Sequence, residues 1–257
     1  MAALTAFRYY TVEAEDCRIR CKLYGPDAGA VKTLILFGHG FGGHKDNRAA
    51  EKLARRVREK NPDAALVVFN WPCHGDDERQ TLRLDDCMRY LELLIADTQA
   101  RFSPETLYGC ATSFGGYLYL LYLAGHDNPF RKLVFRCPAI PMYEVLTRAI
   151  MPNGLLESVE NGTPALVGFD RKVGIDRGFL ESLRAAELSA RDYSPLAADM
   201  LILHGTEDEI VPFAAVKAFA EKNGIAFVPV DGADHRFLAP GTMDLAIART
   251  VAFFGLE

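Results

Sequence analysis

Ser113 stands in the run from Thr106 to Tyr117, where an apolar, β-branched and aromatic start gives way to Ala111-Thr112-Ser113-Phe114-Gly115. Behind it Leu118, Leu121 and Tyr122 recur at helical spacing, so the serine falls between the end of a strand and the first turn of a helix. That is the context of a nucleophile elbow, a strained turn with the hydroxyl at its tip. Strand and helix backbones approach closely there, so the residues two before and two after must be small, as Ala111 and Gly115 are. Taken alone, the segment also fits a glycine-containing loop with a solvated serine. A serine hydroxyl attacks only when a neutral histidine takes its proton and a carboxylate orients that histidine, so the rest of the chain decides.

Both partners are present, each just after a strand. Asp208 lies in the polar stretch Gly205 to Glu209, behind the apolar Leu201 to His204; His235 lies in Asp231 to Phe237, behind the strand Ala226 to Val230. Ligands of open α/β sheets gather at the carboxyl ends of strands, so all three residues belong at one edge. Glu207 and Glu209 flank Asp208, and composition cannot choose among the three. Asp234 is read as a loop cap, Cys110 as a small buried apolar side chain, and His39 and His204 as structural hydrogen-bonding groups. His44, His74 and His126, in polar loops, are expected to be solvated.

The elements that must position these groups alternate. Phe7 to Glu13 and Cys17 to Tyr24 read as an antiparallel hairpin; Thr33 to Phe37, Ala65 to Trp71 and Lys132 to Cys137 read as buried strands of a mostly parallel sheet. Helices are predicted over about Asn47 to Lys60, Leu84 to Phe102, Phe213 to Lys222 and Met243 to Phe254. The alternation breaks at Pro138 and resumes near Met200. The expected organisation is therefore a core from 1–137 and 200–257, interrupted by an insertion of roughly sixty residues, 138–199, of the size of a lid or binding element. One helix, from about Asp176 to Leu188, is predicted within it.

The chain has 257 residues, 49% hydrophobic and 25% charged, with a net charge of -5. A single large core is expected, and nothing in the charge suggests a nucleic-acid or anionic-membrane surface. The start of the chain lacks a basic segment followed by a long apolar one, so no signal peptide is expected. Six cysteines form no CxxC pair and no zinc spacing, which favours a reducing cytoplasm.

With these motifs in place, the chain resembles the serine α/β-hydrolase superfamily from about Phe7 onward. His204-Gly205-Thr206-Glu207-Asp208-Glu209-Ile210-Val211-Pro212 and Gly232-Ala233-Asp234-His235-Arg236-Phe237 look most like its cinnamoyl/feruloyl esterase-like branch. The resemblance implies an eight-stranded sheet, Ser113 as nucleophile, Asp208 as acid, His235 as base, and an oxyanion hole from the backbone N–H groups of Phe41 and Phe114. Phe114 opens a helix, where N–H groups point outward, and the glycines around Phe41 let its backbone approach a substrate. The chain departs from the family pattern at Ala111, where the first elbow glycine is usual, and at Asn70 to Asp77, where many relatives carry an Asp-x-x-Gly-x-Gly-x-Ser loop.

The function expected is metal-independent, cofactor-free hydrolysis of a small-molecule carboxylic ester through an acyl-enzyme, with hydroxycinnamoyl (feruloyl) or other small to medium acyl groups. A peptidase or thioesterase of the same fold is the enzymatic alternative, and a non-catalytic binding protein the other. No nucleic acid or membrane partner is expected, and homodimer formation is left open. Met142, Tyr143, Leu146, Phe169 and Phe179 are candidates for the walls of an acyl pocket, or for plain packing of the insertion.

Overall fold

The computed structural model describes residues 6–257. In chain order the first half runs β1 (Phe7–Glu13), β2 (Arg18–Tyr24), β3 (Thr33–Gly38), α1 (Arg48–Arg58), β4 (Ala64–Phe69), α2 (Leu84–Phe102), β5 (Thr106–Thr112), α3 (Phe114–Leu123) and β6 (Leu133–Arg136). Then come α4 (Met142–Val145), running into one π-helical turn over Leu146–Ile150, α5 (Leu155–Glu160), β7 (Ala165–Val167), β8 (Val173–Ile175) and α6 (Arg177–Ala185). The chain closes with β9 (Met200–Gly205), α7 (Phe213–Asn223), β10 (Ala226–Val230) and α8 (Thr242–Phe254).

Eight strands form one sheet in the order β1-β2-β4-β3-β5-β6-β9-β10. β1 pairs antiparallel with β2 and β2 with β4, and every pairing from β4 to β10 is parallel. A strand's side chains alternate between faces, so a strand apolar at every position must be covered on both. β3 and β4 behave that way: Leu34, Leu36, Ala65, Val67 and Phe69 enter the core under α2, α3 and α7, while Ile35, Phe37, Leu66 and Val68 enter the core under α1 and α8. Nothing in an unbroken apolar run forces a register, and here the parallel partners supply it, Gly38 facing Ala111 across β3 and β5.

The segment between β6 and β9 stands outside the main sheet and carries its own two-stranded antiparallel pair, β7 with β8. It is fixed to the core at several points. Leu82 N–H donates to Gly174 O at 2.8 Å, Tyr117 Oη to Ala186 O at 3.1 Å and Tyr193 Oη to Leu120 O at 2.9 Å. The Arg83 guanidinium grips both oxygens of Asp176, at 2.8 and 2.6 Å, while Asp176 also caps α6 by accepting from Phe179 N–H at 3.0 Å. Of these elements only α6 is predicted from the sequence; α4, α5 and the β7–β8 pair are too short to carry a periodic signal. Among the described residues no helix is long and apolar enough to cross a membrane.

Candidate active site

Ser113 sits between β5 and α3 with φ 53° and ψ -118°, a backbone state that costs a non-glycine residue about 1–3 kcal/mol and persists only where its surroundings enforce it. They do. Ser113 N–H donates to Arg136 O at 2.9 Å, and its carbonyl accepts from Tyr117 and Ala139 N–H, both at 3.1 Å. A Cβ on Gly115 would lie 2.6 Å from the carbonyl oxygens of Gly38 and His39, so only glycine fits on the helix side. On the strand side Ala111 faces Gly38, and a Cβ there would stand 3.5 Å from that of Ala111. Gly38 carries no side chain, which leaves room for the Ala111 methyl where a glycine is usual.

β5, β9 and β10 bring Ser113, Asp208 and His235 together at the carboxyl edge of the sheet. Ser113 Oγ lies 3.0 Å from His235 Nε2, and His235 Nδ1 lies 2.8 Å from Asp208 Oδ2. A ring nitrogen facing a carboxylate must carry the hydrogen, so Nδ1 donates and Nε2 is left to accept from the serine. The Asp208 side chain is fully buried, and its other oxygen accepts from Ile210 and Val211 N–H at 2.9 and 2.8 Å. Burial would push its carboxyl up, but hydrogen bonds from His204 and His235, the His235 charge and the Cys137 thiol outweigh it and hold the carboxyl well below the usual range. Asp208 is therefore an anion whenever the fold is intact near neutrality. Its neighbours Glu207 and Glu209 are both exposed, and Glu209 Oε2 accepts from His235 N–H at 3.4 Å. Asp234 caps its own loop by accepting from Leu238 N–H at 2.8 Å.

The loop after β3 approaches the serine closely. A Cβ on Gly40 would lie 3.1 Å from Ser113 Cβ, so the backbone leading into Phe41 runs beside the hydroxyl. Phe114, the first residue of α3, has no helical carbonyl one turn earlier to receive its N–H. The rings of Phe41 and Phe114 meet edge to face with centroids 5.6 Å apart.

Behind them is a group the sequence does not reveal. His74, expected to be solvated, is only 2% exposed. Its Nδ1 donates to Pro72 O at 2.8 Å, and its ring packs against Phe41 and Phe114 with centroids 5.5 and 6.2 Å away. Burial lowers its pKa to about 4, against smaller upward pulls from Pro72 O and Asp77. His39 is buried and structural as expected: Nδ1 donates to Gly40 O at 2.8 Å, and its carbonyl accepts from Trp71 Nε1 at 2.9 Å. His126 is partly exposed, and His44 is half-buried with Nδ1 accepting from Asp46 N–H at 3.2 Å. Buried Asn70 ties the two loops together, accepting from Lys45 N–H at 2.7 Å and donating to Asp76. The only outward sign of all this is a strand end crowded with His, Gly and Asp.

The five wall candidates separate. Met142, Leu146 and Phe179 are buried in the larger core, Tyr143 is half-buried and accepts from Arg184 through its hydroxyl, and Phe169 is 50% exposed. Arg236, one residue past His235, reaches Asp170 at 3.5 Å, which brings the β7–β8 connection up to the histidine loop. All six cysteines are free thiols. One grouping of potential metal ligands occurs among the described residues: Cys137, His204 and Asp208, whose ligand atoms lie within 4.8 Å of one another. Both Asp208 oxygens are already engaged, one by His235 and the other by Ile210 and Val211 N–H.

Solved structures share this architecture. Est1E from Butyrivibrio proteoclasticus with ferulic acid bound superposes with a TM-score of 0.74 at 18% identity, over 95% of this chain and 97% of that one. A hydrolase structure from Agrobacterium vitis gives 0.73 at 17% identity over 96% and 98%. A soluble variant of monoglyceride lipase from Saccharomyces cerevisiae, in complex with a substrate analogue, gives 0.73 at 11% identity over 97% and 96%. At such identities the likeness is one of fold. The sequence profile of the alpha/beta hydrolase family matches residues 35–249, from β3 into α8, and with the sheet order and the strand-end turns it places this chain in that family.

Proposed function

We propose that the protein is a serine hydrolase that cleaves carboxylic esters through an acyl-enzyme on Ser113. The observation that carries the reading is the unbroken hydrogen-bonded line from Ser113 Oγ through His235 to the buried Asp208 carboxylate. In the first half-reaction Ser113 Oγ bonds to the ester carbonyl carbon as its proton passes to His235 Nε2. The oxyanion is held by the N–H groups of Phe41 and Phe114. The carbon–oxygen bond to the alcohol then breaks, and His235 returns the proton to the departing oxygen. In the second half water attacks the acyl carbon, its proton moves through Nε2, and Ser113 is released with the free acid. Asp208 holds the tautomer and balances the imidazolium charge without taking the proton.

Residues 138–199 serve in this reading as a lid over Ser113, with exposed Phe169 and half-buried Tyr143 as the two wall candidates not wholly packed into the core. Hydroxycinnamoyl (feruloyl) esters head the substrate list, on the motifs around Asp208 and His235 and on the shared fold of Est1E with ferulic acid bound. The test is labelling by a fluorophosphonate together with a panel of nitrophenyl acetate, methyl ferulate and aminoacyl anilides. Turnover of the esters and labelling at Ser113 are expected, and Ser113→Ala should fold normally and lose about a thousandfold or more in rate. An unlabelled wild-type protein would refute the mechanism; anilides cleaved in preference to esters would make it a peptidase.

A further inference from the structure

His204, the fifth residue of β9, is fully buried, its ring packed against Phe213 and Phe227 with centroids 5.7 and 6.4 Å away. Its Nε2 lies 3.1 Å from Val211 O and 3.3 Å from Asp208 Oδ2. Both neighbours are acceptors, so Nε2 carries the ring hydrogen, aimed at the carbonyl with the carboxylate beside it. The tautomer leaves Nδ1 a bare lone pair, and that atom is buried with no hydrogen-bond partner. A buried acceptor without a donor costs about 1–3 kcal/mol. An apolar ring would remove that orphan but would strip Val211 O of its donor, so the exchange is about even in stability, and what distinguishes the histidine is the Nε2–H.

That hydrogen closes a loop of contacts. Val211 O accepts from His204, Val211 N–H donates to Asp208 Oδ1 at 2.8 Å, and Asp208 Oδ2 faces both His204 and His235. The turn from Asp208 to Val211 is thus held at both ends, and the carboxylate cannot swing away from the histidine loop without breaking one of these bonds. We propose that His204 is a positioning residue, one that clamps the Asp208–Val211 turn from beneath and keeps Asp208 Oδ2 aligned on His235 Nδ1. The role rests on the assignment of Ser113, His235 and Asp208 given under Proposed function.

The test compares His204→Phe, which keeps a ring and removes the donor, with His204→Gln, whose amide can place an N–H where Nε2 stands. Three quantities are read: melting temperature, kcat and KM on a nitrophenyl ester, and the hydrogen-bonded His235 Nδ1 proton in one-dimensional NMR. His204→Phe exchanges one orphaned acceptor, Nδ1, for another, Val211 O, so its melting temperature should stay near wild type. Its kcat should fall about tenfold to hundredfold, the scale seen when the outer partner of a functional ligand is lost, with KM little changed. Its Nδ1 proton should broaden through faster exchange with water, and His204→Gln should restore most of the rate and the signal. A wild-type kcat and a sharp Nδ1 proton in His204→Phe would overturn the proposal. So would a loss of rate in both variants that tracks a loss of melting temperature. If His204→Phe does not fold, a folded His204→Gln as slow as Asp208→Asn overturns it, and one near wild type supports it. Should the wild-type protein neither hydrolyse esters nor react at Ser113, the hydrolase reading fails, and the NMR comparison still decides whether His204 holds the Asp208–His235 pair.

Discussion

Acidification from pH 7 to 4.5 should cost the fold about 2 kcal/mol through His74 alone. Burial against Phe41 and Phe114 displaces this imidazole from the usual 6.5 to about 4, against the smaller upward pull of the Pro72 carbonyl. Between those two values the unfolded chain takes up a proton that the folded chain refuses. A histidine depressed in the folded state therefore contributes stability at neutral pH and loses it as the pH falls, until the folded form is protonated too. Each pH unit is worth about 1.4 kcal/mol, so the whole interval amounts to about 3 kcal/mol, of which about 2 kcal/mol has gone by pH 4.5. His39 is displaced in the same direction, chiefly by its own burial, so the wild-type slope contains both rings. His74→Phe removes one of them while keeping an aromatic ring in the gap. Urea unfolding of both proteins at several pH values between 7 and 4.5 isolates the difference, which should reach about 1 M in the midpoint for a denaturant slope of about 2–3 kcal/mol/M. Wild type and His74→Phe losing stability in parallel would refute the reasoning, because His74 would then be neither desolvated nor neutral by virtue of its packing.

Four further outcomes follow from the same geometry. Asp208→Asn keeps the acceptor for Ile210 and Val211 N–H but favours the wrong His235 tautomer, a change worth about 10⁴ in kcat in a serine-protease triad; Glu207→Gln, on an exposed side chain, should leave kcat near wild type in the same assay. Because the Asp208 carboxyl is held low in the folded state, its contribution to stability is complete above the unfolded value of about 3.9 and is lost only below it, so acid unfolding curves of wild type and Asp208→Asn should converge under strongly acidic conditions. Gly115→Ala must relieve a 2.6 Å approach to two carbonyl oxygens and should lower stability by about 1–3 kcal/mol or more on thermal melting, whereas Gly29→Ala, with nothing within 4 Å, should not. Phe169→Ala should raise KM for methyl ferulate more than for nitrophenyl acetate without changing the melting temperature, while alanine at Leu146 or Phe179 should cost about 2–5 kcal/mol of stability; equal KM changes on both esters would leave Phe169 without a role in acyl selection.

What could be read from the sequence follows the reach of each signal. β3, β4, β5 and β9 are runs of apolar residues, buried on both faces, and such runs identify themselves; β10 and α2 match their predicted limits because Gly224 ends the helix before β10 and the αL Ser103 ends α2 itself. Ser113, Asp208 and His235 were expected at strand ends, and strand ends converge by topology. His74 escaped because a loop of Pro, His, Gly and Asp gives no hint that two aromatic rings from elsewhere will cover it. His204 was expected to be structural, but that Val211 and Asp208 share its Nε2 depends on the shape of the turn, which no residue type encodes. The short elements of 138–199 were invisible because three-residue strands and single helical turns have no period to detect.

The order in which the reacting groups enter the sheet has a consequence in time. Ser113 and His235 are 122 residues apart, and the histidine loop follows β10, the edge strand that pairs only with β9. As the chain emerges during synthesis, β3, β5 and α3 can assemble the serine turn long before His235 exists. Until β10 docks, the hydroxyl lacks its hydrogen bond to His235 Nε2. With Ser113 acting as proposed, hydrolytic competence waits on the docking of β10, and recovery of serine reactivity during refolding would report that step.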